Sequence, residues 1–206
     1  MIFHYKGKFS GNPDDLPCSE HEPNAVKYKE PDDPKKLALI ANGISVVLFI
    51  LTIAIYLWRA GGLLGEDSSL NYSIWGCLLS LVTLFPHEML HALCFRSDVY
   101  MYTNFKQGMA FVVGPERMSK AHFILMSMLP NIVFGFIPFI IFMIFAKSGA
   151  VTPILKLVGT MGAFCIPMGA GDYLNVFNTL TQVPKGGKVY MHKFNSYWYM
   201  PEDRCS

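Results

Sequence analysis

Four long apolar runs set the pattern of the chain. Leu37 to Trp58 is 22 residues without a charge. Leu70 to Phe95 is 26 residues with one acid, Glu88. Ala121 to Ala146 is 26 residues without Asp, Glu, Lys or Arg. Pro153 to Leu180 is weaker, because it holds Lys156 near its start and Asp172 near its end. A helix crosses a hydrocarbon core in about 20 residues, so the pattern predicts four transmembrane helices. The polar stretches between and around them predict less. Residues 1–36 carry charges and prolines and no apolar core, which reads as a mostly irregular tail, not a signal peptide. Residues 99–113 are rich in aromatic and β-branched residues around Lys106-Gln107-Gly108, which predicts a β-hairpin at the membrane surface. Residues 188–199, with Tyr190, Tyr197, Trp198 and Tyr199, predict another strand or an interfacial segment.

Composition agrees with a membrane protein. Hydrophobic residues make up 52% of the 206 and charged residues 16%, with a mean hydropathy of +0.32. Soluble domains carry about 25% charged residues. The net charge of +2 and the lack of a basic stripe give no reason to expect nucleic acid. The five cysteines do not form a disulfide framework or a Cys-rich zinc pattern; Cys77, Cys94 and Cys165 sit in apolar runs, and Cys18 and Cys205 in the tails. Fourteen of the 17 Lys and Arg fall in the N-terminal tail, the loop after the second run and the C-terminal tail. Only Arg59, Lys147 and Lys156 fall on the other side. The positive-inside rule then puts both termini and the middle loop in the cytoplasm, and the protein in the cell membrane. The expected fold is an all-α membrane protein, a four-helix bundle with a minor cytoplasmic-side β-hairpin. Its expected parts are a tail over 1–36, a membrane domain over 37–182 and a tail over 183–206.

The chemistry lies in His87-Glu88-Met89-Leu90-His91, an H-E-x-x-H pattern. On a helix, positions i and i+4 share one face, so both imidazoles can meet one metal. Glu88 sits beside that metal as a general base for a water the metal activates. Ionisable groups inside a membrane span are costly, about 2.5–3.5 kcal/mol on insertion scales, and usually serve a function. A catalytic zinc site needs a third protein ligand. Asp172, Glu116 and His122 are the candidates. Depth favours Asp172: along straight helices His91, His87 and Asp172 lie about 6, 12 and 12 Å from the same boundary. Asn131 and Asn175 are candidates for oxyanion stabilisation or polar support.

An H-E-x-x-H within a span, followed by a Gly-rich Asp on another span, resembles the site-2 protease class of intramembrane zinc metalloproteases. Over about residues 35–200 the chain resembles more closely a family of small bacterial membrane zincin peptidases. The matching features are His87-Glu88-Met89-Leu90-His91-Ala92, the hairpin at 99–113, Leu129-Pro130-Asn131 and Gly171-Asp172-Tyr173-Leu174-Asn175. The resemblance implies one Zn²⁺ per chain held by His87, His91 and Asp172, with Glu88 as general base. It also implies hydrolysis of a membrane protein or peptide near the cytoplasmic face. One departure stands out: Gly precedes Asp172 and Tyr173 follows it, whereas site-2 proteases commonly carry Gly after the Asp. The residues alone leave two other readings, a non-catalytic metal-binding scaffold and a small ion or proton transporter. Glu88 argues against the first, since structural metal binding does not need it, and the lack of repeat symmetry argues against the second.

Overall fold

The computed structural model describes residues 2–31, 33–61, 70–104, 109–146 and 151–201. The expected turn at Lys106-Gln107-Gly108, and Lys147, Arg204 and Cys205, lie outside the described residues. Among the described residues there are seven strands: β1 (Phe3–Lys8), β2 (Val26–Lys27), β3 (Val99–Asn104), β4 (Met109–Val113), β5 (Met118–Ser119), β6 (Lys188–His192) and β7 (Asn195–Tyr199). The helices are α1 (Pro34–Ala60), α2 (Leu70–Val82), α3 (Leu84–Leu93), α4 (Lys120–Pro130), α5 (Ile137–Phe145), α6 (Pro153–Met168) and α7 (Ala170–Gln182). A π-helical turn, Asn131–Phe136, joins α4 to α5.

The protein is mostly helical, and its ends are set by local chemistry. Asp33 caps α1 by accepting from Lys35 N at 2.9 Å, with Pro34 in the first turn, where its missing N–H costs nothing. Gly61 closes the helix at φ +77°, a left-handed conformation that glycine adopts without steric penalty. Thr152 and Pro153 open α6 in the same way. Among the described residues two helical stretches are long and apolar enough to cross a membrane, Lys35–Ala60 and Lys120–Phe145. The number becomes four if each of two bent pairs is one span.

The second apolar run, read as one continuous helix, and the fourth, in which Pro167 and the neighbouring glycines predict a kink, are both bent. The second breaks by 42° between α2 and α3, and the fourth by 53° between α6 and α7. Pro86, in the first turn of α3, has no N–H for the carbonyl one turn back, so the ladder of α2 cannot run on. Gly169 stands alone between α6 and α7, two residues after Pro167.

The chain divides into two compact units. One comprises Pro31–His87 and Leu129–Tyr173 and is helical. Its core is Tyr56, Phe139, Phe142, Ala146, Ala163 and Ile166. Pro167 leaves the Ala163 carbonyl without its helical N–H, and Thr52 Oγ1 donates to that carbonyl at 3.0 Å. The outer surface is apolar: Val46, Val47, Ile50, Leu51 and Trp58 of α1 are all exposed. A surface of this kind is stable against lipid and costly against water.

The other unit comprises Met1–Glu30, Glu88–Met128 and Leu174–Ser206, and holds both sheets. In the first, the expected hairpin β3–β4 is present, and β1 pairs parallel to β3 to give the order β1-β3-β4. The register shifts between Tyr5 and Gly7, whose φ of +71° suits glycine at a bulge. The second sheet is antiparallel, in the order β2-β7-β6-β5. Residues 1–36, expected as a mostly irregular tail, do contain long irregular stretches, but they also supply a strand to each sheet. The C-terminal stretch expected as a strand or interfacial segment is the β6–β7 hairpin. Tyr28, Phe95, Val99, Met118, Phe123 and Val189 fill the core between these elements.

Candidate metal centre

Helix α3 carries His87, Glu88 and His91, and its geometry does what the spacing predicts. One ligand-type atom from each of the three lies within 4.8 Å of the others. Glu88 and His91 are buried, at 8% and 7% exposure. Burial makes an unpaired carboxylate and imidazole expensive, so the group asks for a cation or a full set of hydrogen bonds.

His91 has its ring fixed. Nδ1 donates to the Met126 carbonyl at 2.9 Å. That carbonyl lies one turn before Pro130, which has no N–H to offer it. The acceptor can only accept, so Nδ1 carries the hydrogen of this bond, and Nε2 is the ring nitrogen that would bind a metal.

His87 meets Asp172. Its Nε2 lies 3.1 Å from Asp172 Oδ2. The same oxygen accepts from Asn131 Nδ2 at 2.7 Å. Asp172 stands in the first turn of α7, where the helix dipole favours a negative charge. An N···O separation of 3.1 Å is one that two ligands of a single zinc can hold, each at about 2.0–2.2 Å from the metal.

Of the other sequence candidates, Glu116 is held elsewhere by its side chain, and His122 and Asn175 bond through backbone atoms. Glu116 accepts from Arg96 N at 2.5 Å and Ser97 N at 3.0 Å, which closes the turn before β3. His122 is at the start of α4, and its backbone N–H donates to Ser119 Oγ at 3.3 Å. Asn175 lies on α7 with its carbonyl accepting from Thr179 Oγ1 at 2.7 Å. Glu116, His122 and Asp172 all lie outside the metal-type cluster found among the described residues, and Asp172 meets that cluster through His87.

Two participants were not visible in advance. One is the Met126 carbonyl, whose signal is the proline four residues later. The other is Gly169, where a Cβ would fall inside the Asn131 carboxamide.

Residues 80–187 match the sequence profile of a family described as "Putative zincin peptidase". That match covers more than half of the chain and includes His87, Glu88, His91, Asn131 and Asp172. The chain belongs to this family. No curated protein and no solved structure matches it. A zincin family implies zinc and metallopeptidase chemistry, and the His87-Glu88-His91 group is a donor set of the kind such a metal takes.

Proposed function

We propose that the protein is a membrane-embedded zinc metallopeptidase of site-2-protease type. It would cut a membrane protein or peptide near the cytoplasmic face. The observation that carries this reading is the buried His87-Glu88-His91 group on α3, in a member of a zincin family. The pairing of His87 with Asp172 supports Asp172 as third ligand. His87, His91 and Asp172 would hold one Zn²⁺ per chain. Bound there, zinc would lower the pKa of a water toward 7 and polarise a peptide carbonyl.

The remaining steps fall to the chain. Glu88 accepts the proton as the water oxygen bonds to the carbonyl carbon. It returns that proton to the nitrogen as the C–N bond breaks, and the second water proton passes from the new carboxyl group to the amine, so a carboxylate and an ammonium group leave. The Met126 carbonyl keeps the His91 imidazole in place meanwhile. A substrate must be extended to reach such a site. In the three-stranded sheet β4 is an outer strand, and its free edge suits addition of an extended peptide.

In this reading α1, the α2–α3 pair, α4 with α5, and the α6–α7 pair are the four spans, with both termini cytoplasmic. The exposed apolar side chains of α1 and the charge split of the loops support it.

The test uses the full chain purified in detergent. The expected result is about one zinc per chain by elemental mass spectrometry, with cleavage of a membrane-segment peptide library that a chelator stops and added zinc restores. A protein that takes up no zinc when supplied with it, or cleavage indifferent to chelator, overturns the proposal.

A further inference from the structure

Asn131 opens the π-helical turn directly behind Pro130, and it is buried to 1% exposure. Its Nδ2 donates to Asp172 Oδ2 at 2.7 Å. On another side it packs against Gly169, so closely that any Cβ at that position would overlap the carboxamide. Gly169 is also the residue at which α6 gives way to α7, by a 53° bend, three residues before Asp172. The amide is thus wedged between the joint that places Asp172 and the carboxylate itself.

A carboxylate turns in a broad, shallow torsional well, so the backbone alone does not fix where its oxygens point. A buried donor at short range does. The oxygen that Asn131 holds is the one facing His87 Nε2 at 3.1 Å. Helical π-turns are costly and concentrate at functional sites, and this one carries Asn131 at its head.

We propose that Asn131 is a positioning residue for the metal: with Gly169 admitting its amide, it sets the orientation of the Asp172 carboxylate that ligates beside His87. This rests on the reading of His87 and Asp172 as ligands. It gives Asn131 a role through Asp172 rather than on the reacting atoms.

The experiment compares the detergent-purified full chain with Asn131→Leu and Gly169→Ala. Leu is nearly isosteric with Asn and has no donor, so packing is kept while the hydrogen bond goes. Zinc affinity is measured by competition with a chromophoric chelator, and site geometry by the visible spectrum of the Co²⁺-loaded protein. Thermal melting and circular dichroism check the fold. Asn131→Leu is expected to bind zinc about 10–100-fold more weakly, the usual cost of losing a ligand's hydrogen-bond partner. Its Co²⁺ bands are expected to shift. Gly169→Ala, which displaces the amide without deleting it, is expected to shift them in the same sense. If Leu is not accommodated, Asn131→Ala reads the same two quantities. Wild-type affinity and an unchanged Co²⁺ spectrum in a folded Asn131 variant overturn the inference alone. A wild-type protein that binds neither metal overturns the zincin reading and this inference together.

Discussion

His87 Nε2 lies 3.1 Å from Asp172 Oδ2, although 85 positions separate the two in the chain. In the proposed reading this pairing recommends Asp172 as third ligand beside the two histidines of α3. Asp172→Ala should therefore lose zinc on purification, with a larger fall in affinity than the roughly 10–100-fold that follows loss of an outer hydrogen-bond partner. Elemental mass spectrometry on wild type and variant decides it. Equal zinc in both would remove Asp172 from the ligand set.

Glu88 separates metal binding from chemistry. Glu88→Ala should keep its zinc yet lose cleavage, by at least the ~10²–10⁴-fold that a general acid–base group contributes. A variant that still cleaves at the wild-type rate would show that another group handles the proton.

Helix contacts in the apolar unit depend on a missing side chain. A Cβ at Gly162 would lie 2.6 Å from Phe139 N and 2.8 Å from Gly135 O, both backbone atoms that cannot rotate away. Gly162→Ala should destabilise the protein by about 1–3 kcal/mol, the usual range for overpacking. Unfolding in mixed micelles measures this, and an unchanged midpoint would mean that α6 can shift at no cost.

Tyr28 predicts an alkaline limit. Burial raises its pKa to about 12, against the smaller opposing effect of its hydrogen bond with Thr179 Oγ1 at 2.9 Å. The folded value lies above the ordinary one of about 10, so the fold favours the neutral phenol. That stability is complete below pH ~10 and is lost as pH rises from ~10 through ~12. Tyr28→Phe should lose about 1 kcal/mol at neutral pH and become less sensitive to alkali over that window. Denaturant titrations at pH 8 and pH 11 test this, and the same alkaline loss in the variant would exclude Tyr28 as its source.

The proposed topology can be read through an existing thiol. Cys18 is exposed. In a Cys205→Ser background, a membrane-impermeant maleimide should label it in inverted vesicles and not in intact spheroplasts. Labelling in intact spheroplasts would reverse the orientation.

Local pattern carried much of this molecule. The H-E-x-x-H face needs only the 3.6-residue turn, so His87, Glu88 and His91 converge as their spacing requires. The hairpin over 99–113 follows from alternation and β-branching, and the apolar runs give helices because hydropathy is a sum over neighbours in sequence. Prolines signalled trouble in the helices, but not its consequence. Pro130 and Pro167 each leave a carbonyl open one turn earlier, and only the folded chain says that His91 takes the first and Thr52 the second.

The apolar helices and the metal-type face of α3 are legible in the chain because each is written in residues within a few turns of one another. Everything else waited on packing. Phe3 pairs with Val99 in a parallel strand, and Asn131 reaches Asp172 through the gap left by Gly169. Such contacts join residues tens of positions apart, and no periodicity links them. They exist because a buried polar group or an open strand edge must find a partner, and which partner is within reach is fixed only when the chain has packed.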